Sequence, residues 1–167
     1  MEREGWQSMT VSRQKSILIV DADTRAAHNE GEFLASCGYS IMLAASGEEA
    51  VGTFEAADTI DLVLIDPYLG PGMGGVDAAR IIQEIRHVPV VLVSSGGDEA
   101  SLAGMGLVDA YGFVQKRSSD VALLASVAIA FRRQDAERRA KEDCLRKILD
   151  AIPDIISIND PKAFYTL

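Results

Sequence analysis

The sequence predicts an α/β domain in which a parallel β-sheet is covered by helices on both faces. Short apolar runs recur along the chain, helical segments separate them, and the runs are apolar at every position rather than at alternate positions. Such uninterrupted runs are typical of strands that are buried on both faces, as in a parallel sheet. Five strand–helix repeats joined by right-handed crossovers make a doubly wound domain, which we expect to span residues 16–131.

Most of the predicted strands end beside a polar or charged residue. The strands are Ser16–Val20, Tyr39–Ala44, Leu62–Ile65, Val88–Val93 and Ala110–Val114. Asp21 follows the first strand, Asp66 follows the third and Ser94 follows the fourth. Lys116 lies just beyond the fifth strand. Because ligands of an open parallel sheet bind beyond the carboxyl ends of its strands, these side chains indicate a candidate site.

The segments between the strands carry helix signals. Gly38 is a stop signal for the first helix, and Ser46 followed by Glu49 has the spacing of a capping box. Asp120 is a good N-cap for the last helix. The predicted helices cover residues 25–37, residues from 46 onward, residues 75–85, a short glycine-broken segment at 98–105, and residues from 120 onward.

The last helix extends well beyond the domain in this prediction. Residues 131–147 contain no Gly or Pro, and Pro153 is the first residue expected to end the helix. Apolar residues return near its end, at Leu145, Ile148, Leu149 and Ile152. A helix that is polar all round is not stable alone, so it either pairs with a second copy or spans between domains. We expect a helical linker over residues 132–152 and a homodimer through this helix.

Composition and charge limit the classes of partner. Apolar residues make up 48% of the chain and charged residues 25%, which is typical of a globular protein, and no run is long enough to span a membrane. Residues 1–15 lack the apolar core of a secretory signal, so we expect a flexible tail and a cytoplasmic protein. The net charge is −9, and residues 132–147 carry a local +3, so the body is strongly acidic. We therefore expect neither a nucleic-acid nor a membrane partner.

The carboxylates at the strand ends predict a metal site. Two carboxylates about 4 Å apart repel each other by about 4 kcal/mol at an effective dielectric constant near 20, so the fold needs a compensating charge. Mg²⁺ provides one, and it typically binds one or two carboxylates, several waters and a substrate phosphate. Asp21 and Asp66 are the candidate ligands. Asp23 is either a further ligand or the N-cap of the first helix.

Five motifs in this order resemble the receiver domains of two-component response regulators. They are Ile-Val-Asp-Ala-Asp at residues 19–23, Asp-Leu-Val-Leu-Ile-Asp at 61–66, the loop at 69–75, Val-Val-Leu-Val-Ser-Ser at 90–95, and Gly-Phe-Val-Gln-Lys at 112–116. The resemblance covers residues 16–131. It implies a flavodoxin-like sheet with strand order 2-1-3-4-5.

The resemblance also implies what the site does. Asp66 would accept a phosphoryl group from a histidine kinase or a phosphotransfer protein. Mg²⁺ would be held by Asp21, Asp66 and the backbone carbonyl of Tyr68. The domain would be a signalling domain and not an enzyme, with at most slow self-phosphorylation and self-dephosphorylation.

Three further residues take switch roles by the same resemblance. Lys116 would pair with the phosphoryl oxygens, and the Ser94 hydroxyl would move to bond one of them. Phe113 occupies the aromatic position that changes rotamer together with this hydroxyl. The phosphoryl charge would then repack the fourth and fifth elements, and the signal would pass into the C-terminal helix.

The sequence departs from the family pattern at several positions. Ala22 stands where the family usually has a second acidic residue, the loop after Asp66 is one residue longer, and Ser94 replaces the commoner Thr. Arg117 replaces the usual Pro, so the customary cis peptide is not expected. These departures motivate an alternative, a pseudo-receiver that acts as a phosphorylation-independent interaction module. A nucleotide-binding enzyme is a third alternative, which the absence of a glycine loop after the first strand disfavours.

A second resemblance concerns the C-terminal segment. Residues 145–158 are similar to the linker helix and opening strand of a PAS sensor domain, with Ile155–Ile158 as the strand. Residues 153–167 are too short for a whole PAS domain. We therefore expect either that the sequence is part of a longer protein or that this segment packs in another way.

Overall fold

The structure is a computed structural model, and it describes residues 13–95, 108–116 and 118–158. The predicted helix at residues 98–105, the departure at Arg117 and residues 1–12 and 159–167 lie outside these ranges. Within the described part of the predicted tail, Arg13 contacts the domain. Its Nη2 atom lies 2.5 Å from Asp61 Oδ1, and its Nη1 atom donates to the Thr59 carbonyl at 3.1 Å.

The described residues form one five-stranded parallel sheet. Its strands are β1 (Ser16–Val20), β2 (Ser40–Ala44), β3 (Ile60–Ile65), β4 (Val90–Ser94) and β5 (Ala110–Gln115). They lie side by side in the order β2-β1-β3-β4-β5, and all neighbouring pairs are parallel. The predicted fold class and strand order are therefore confirmed. The predicted strand boundaries differ by no more than two residues.

Among the residues that the structure describes, four helices cover the sheet. They are α1 (Thr24–Ser36), α2 (Gly47–Ala56), α3 (Gly75–Ile85) and α4 (Asp120–Ile158). The predicted capping of α2 is confirmed, because Ser46 Oγ accepts from the Glu49 N–H at 3.2 Å and the Glu49 carboxylate accepts from the Ala45 N–H at 2.8 Å. Gly38, just after α1, has a φ of 95°, which explains why glycine stands at this stop.

Alternating side chains of the strands pack against helices on opposite faces. On one face, Leu18, Val63 and Leu92 form a buried cluster with α2 and α3. On the other face, Ile19 and Leu64 belong to a second cluster with α1 and the first turns of α4. The central strands β1, β3 and β4 are buried along almost their whole length, whereas the edge strands β2 and β5 are partly exposed. The central strands therefore carry no polar face and read as continuous apolar runs.

The end of α4 corrects the prediction for the C-terminal segment. The helix does not end before Pro153 but continues to Ile158, so the strand predicted at Ile155–Ile158 is wrong. Proline inside a helix removes one N–H and costs about 3 kcal/mol, whereas a strand needs a partner for a whole row of backbone groups. Among the described residues, the sheet consists of the five strands above. A helix, in contrast, pairs its backbone N–H and C=O groups within itself. No helix in the described ranges is long and apolar enough to cross a membrane.

A cluster of side chains fixes α4 to the domain. The Tyr111 hydroxyl, at the start of β5, donates to the Glu137 carboxylate, and His87 Nε2 lies 3.0 Å from the same hydroxyl oxygen. Arg133 covers the Tyr111 ring at 4.5 Å and bonds Glu137 through its Nε atom at 2.9 Å. The hydrogen bond from Tyr111 is the largest of the effects that lower the pKa of Glu137. Nearly two turns before Glu137, Phe131 is buried against the Tyr39 ring.

Replacing Tyr111 by Phe tests this attachment. Because the substitution removes the hydroxyl that donates to Glu137 and lies within hydrogen-bond distance of His87, we expect Tyr111→Phe to lower the free energy of unfolding by about 1 kcal/mol or more, measured by urea denaturation. The pKa of Glu137, followed by NMR, should rise toward its usual value. Tyr68→Phe is the matched control, since that side chain is 47% exposed. An unchanged urea midpoint for Tyr111→Phe would show that the hydroxyl does not hold the helix.

Candidate functional site

The carboxyl edge of the sheet brings the predicted charged residues together. Val20 is paired with Ile65 in the β1–β3 register, so Asp21 and Asp66 leave adjacent strands side by side. The Asp66 N–H donates to the Val20 carbonyl at 2.9 Å and keeps the two chains in register at this point. Lys116 follows β5, which is two strands away from β3 and thus about 10 Å distant. A lysine side chain is long enough to cross most of that gap.

The Lys116 ammonium bridges the two aspartates. Its Nζ atom lies 2.6 Å from Asp21 Oδ2 and 2.5 Å from Asp66 Oδ2. Asp21 and Asp66 are buried, with 4% and 9% of their side-chain surface exposed. Lys116 is half-buried, with 15% of its side-chain surface exposed. Burial alone lowers the pKa of Lys116, but the hydrogen bonds to Asp21 and Asp66 outweigh burial and raise it. The lysine is therefore held in its charged form, and it neutralises one of the two carboxylate charges.

Backbone N–H groups satisfy the other carboxylate oxygens. Asp21 Oδ1 accepts from the Asp23 N–H at 2.8 Å, and Asp66 Oδ1 accepts from the Tyr68 N–H at 2.8 Å. Asp23 is the N-cap of α1, because its Oδ1 atom accepts from the N–H groups of Arg25 and Ala26. Of the two alternatives for Asp23, the capping role is thus confirmed. Its role as a metal ligand stays a prediction.

An open cleft of about 520 Å³ lies in front of these charged groups. It is also lined by Ala22, Ala26, Glu30, Tyr68 and Ser95. Glu30 and Ser95 are site residues that were not predicted from the sequence. Burial is the first cause of a raised pKa for Glu30, and the negative charge of Asp21 is the second. The signal that could have identified Glu30 is its spacing, one helical turn after Ala26 in a helix that begins at the site.

The predicted switch residues lie at different depths around the same edge. Ser94 ends β4 and is buried, and its carbonyl accepts from the Lys116 N–H at 2.6 Å. The residue of this strand end that lines the cleft is Ser95. Phe113 lies in β5 opposite Leu92 of β4, with 39% of its surface exposed, outside the cleft lining. The switch roles of Ser94 and Phe113 stay predictions.

The donor set is compatible with Mg²⁺. Among the residues that the structure describes, no three or more His, Cys, Asp or Glu side chains are grouped so that they could hold a metal ion by themselves. Mg²⁺ does not require such a group, because it usually keeps several waters and takes one or two carboxylates. The buried pair Asp21 and Asp66, facing a polar cleft, meets that requirement.

The loop after Asp66 returns to the site through Gly75. A Cβ atom at Gly75 would lie 1.8 Å from the Asp66 carbonyl oxygen, so only glycine lets α3 begin against the backbone of Asp66. Within the loop, Gly70 and Gly72 have φ values of 81° and 101°, and the Met73 N–H donates to Glu48 Oε1 at 2.8 Å. Both ends of the loop are fixed at the same place. Gly70 and Gly72, with their positive φ values, let the chain turn between these two ends.

The fold and this charged edge define a receiver-type α/β domain, and comparisons with known proteins agree. The family described as the response regulator receiver domain matches residues 17–128. The chain belongs to this family and is a receiver domain of the response regulators of two-component systems.

Individual relatives show the same likeness. The chain is 31% identical over 133 residues to the uncharacterized transcriptional regulatory protein YcbL of Bacillus subtilis, covering 79% of this chain and 57% of YcbL. It is 29% identical over 118 residues to the transcriptional regulatory protein CpxR of Escherichia coli, covering 70% of this chain and 49% of CpxR. The chain thus spans about half the length of these curated relatives.

A solved structure extends the likeness to three dimensions. The N-terminal domain of a response regulator/sensory box/GGDEF three-domain protein from Carboxydothermus hydrogenoformans is 35% identical, with a TM-score of 0.70. The alignment covers 74% of this chain and 98% of that domain.

Removing the lysine tests the charge balance at the edge. Lys116→Met leaves two buried carboxylates without their cation, so we expect the free energy of unfolding to fall by about 3 kcal/mol or more in EDTA. Urea denaturation measures this loss, and Lys141→Met, at an exposed position of α4, is the control. Equal urea midpoints for the wild-type chain and Lys116→Met would contradict the bridging role.

Proposed function

We propose that this receiver domain accepts a phosphoryl group on Asp66 from a histidine kinase or a phosphotransfer protein. The single observation that carries the proposal is the Lys116 ammonium bound to Asp66 and Asp21 at the open edge of the sheet. Asp66 is buried, and its counter-charge, the Lys116 ammonium, faces a polar cleft. When a phosphoryl group is added to Asp66, the ammonium can move to pair with the new negative oxygens. The family membership supports the same role.

The chain's own residues supply most of the chemistry. A carboxylate oxygen of Asp66 attacks the phosphorus in line, and the bond from phosphorus to the donor histidine nitrogen breaks. Lys116 then pairs with the new phosphoryl oxygens, and the Ser94 hydroxyl bonds one of them. The Tyr68 N–H, already 2.8 Å from Asp66 Oδ1, keeps the carboxylate oriented. Phe113 changes its rotamer as Ser94 moves, which carries the change into β4 and β5.

Mg²⁺ is the cofactor of this proposal. Asp21, Asp66 and the backbone carbonyl of Tyr68 would hold it, with Asp23 as a possible additional ligand. When bound, it spreads the charge of the equatorial phosphoryl oxygens. With Mg²⁺ bound at the carboxylates, Lys116 would be able to shift toward the phosphoryl group.

The signal would leave the domain through α4. This helix connects to the sheet through Tyr111 of β5, and it continues far beyond the last strand. The Carboxydothermus relative combines a response regulator domain with a sensory box in one protein. That name supports the proposal that residues 153–167 open a PAS-like sensor partner. The alternative output is a second copy of the chain.

Substitution of the acceptor is the direct test. We expect the wild-type chain to incorporate an acid-labile phosphoryl group from acetyl phosphate in a Mg²⁺-dependent manner, and Asp66→Asn to lose this label. Phosphate-affinity gels or intact-mass spectrometry measure the label. Asp58→Asn is the control, since Asp58 is an exposed residue outside the cleft and has the same side chain.

The alternative is a pseudo-receiver that works by protein contacts without phosphorylation, and Ala22 in the first motif favours it. It predicts no label on the wild-type chain and no saturable Mg²⁺ effect on its NMR spectrum. Label retained at the wild-type level in Asp66→Asn would instead show that another residue is the acceptor.

The same helix supports a homodimer. Leu145, Ile148 and Leu149 are 60%, 55% and 64% exposed, and their spacing places them along one face. Neighbouring exposed apolar side chains of this size indicate an interaction surface. A second copy of the helix offers an identical face, and i,i+4 pairs such as Arg138 with Glu142 keep the flanking surface polar.

A charge on this face tests the dimer. We expect Leu149→Glu to weaken self-association about tenfold or more, because two buried glutamates would face each other across the interface. Sedimentation velocity over a concentration series measures the change. Val121→Glu, at a 72% exposed position near the start of α4, is the control and should dimerise like the wild-type chain. A wild-type chain that remains monomeric at high concentration would contradict the dimer.

A further inference from the structure

The side chain of Glu30 reaches the candidate site from α1. Side chains of a helix lean toward its N-terminus, so Glu30 points back along α1 toward residues one turn earlier. Ala26 occupies that position with only a methyl group, and both residues line the cleft in front of Asp21 and Asp66. The helix starts at Thr24, directly after the site. The side chain of Glu30 therefore extends past the small side chain of Ala26 and lines the cleft.

Glu30 has no counter-charge or hydrogen-bond donor of its own among the residues that the structure describes. The described ion pairs of α1 engage other side chains, such as His28 with Glu32 at 3.3 Å. Glu30 is half-buried, and the negative charges of Asp21 and Asp66 act on it together with the positive charge of Lys116. A partly desolvated carboxylate beside two others is unfavourable unless a cation joins them.

The side chain of Ala22 lines the cleft but offers a cation no oxygen atom. Asp21 and Asp66 carry two negative charges, of which Lys116 cancels one. The carboxylate of Asp23 also lines the cleft, but it caps α1. Glu30 adds one negative charge that no cation or donor among the described residues binds directly.

We infer that Glu30 is an acidic group of the cation site, which holds Mg²⁺ through a bound water and takes the place of a carboxylate at Ala22. The inference rests on the proposed function, because it assumes that the site binds Mg²⁺. Mg²⁺ keeps several of its waters in proteins, so a carboxylate on a neighbouring helix binds it by accepting hydrogen bonds from those waters. Glu30 is a positioning residue, and it does not touch the phosphoryl group.

Divalent-cation binding to the full chain tests the inference without any phosphorylation. Mn²⁺ is titrated into the protein while EPR measures the free ion, and Mg²⁺ is then added as the competitor. We expect Glu30→Gln to weaken the binding of both ions about tenfold, the lower end of the range for groups that act through an outer shell. The double variant Ala22→Asp/Glu30→Gln should recover most of the affinity, because the aspartate at position 22 supplies a carboxylate to the cleft in place of Glu30.

Two controls separate the outcomes. Glu32→Gln removes the same charge from an exposed position of α1 and should bind the ions like the wild-type chain. Thermal unfolding in EDTA should show Glu30→Gln at least as stable as the wild-type chain, because a repelling charge is removed, so that weaker binding is not caused by unfolding. Wild-type affinity in Glu30→Gln overturns the inference and leaves the proposed function standing. A wild-type chain without a saturable site overturns both.

Discussion

The ammonium group of Lys116 between Asp21 and Asp66 is the interaction on which the site depends. Two carboxylates on adjacent strand ends cannot both stay charged and buried without a cation between them, and the lysine is that cation in this structure. The strand order follows the same requirement, since it places β1 beside β3 and leaves one strand, β4, for the lysine side chain to cross. The close start of α3 at Gly75 and the capping by Asp23 then fix the backbone on both sides of the pair.

Strand β5 links this charged edge to the C-terminal helix. Near its start, Tyr111 forms a hydrogen bond with Glu137 of α4, and Lys116 directly follows its last residue. The two residues lie about 17 Å apart along one extended segment. Because β5 is an edge strand, it is paired only with β4 among the described strands. It connects Lys116 at the charged edge with Tyr111 at the attachment of α4.

The sequence was sufficient to predict the sheet and the charged edge because both depend on local patterns. Apolar runs that end in Asp21, Asp66 and Lys116 are visible without coordinates, and parallel strands must align those ends. Glu30 was missed for the opposite reason. It lies inside a regular helix, where an acidic residue normally indicates a solvent-exposed face, and only the packing of α1 against β1 turns it toward the cleft.

The C-terminal boundary was mispredicted because the local signal and the wider context disagree. Pro153 and the β-branched residues after it favour a helix end and a strand. A strand also needs a neighbour, however, and sequence alone does not show whether one is present. The helix is the form that completes its own hydrogen bonds, and it therefore continues through the proline.

The length of α4 has a mechanical consequence. The helix rises by 1.5 Å per residue, so the part beyond Phe131 projects about 40 Å from its attachment. If the helix pivots by about 5° at Phe131, a rigid rod of that length moves sideways by about 3.5 Å at its far end. A rearrangement too small to alter the core would therefore produce a larger displacement at the far end of the helix.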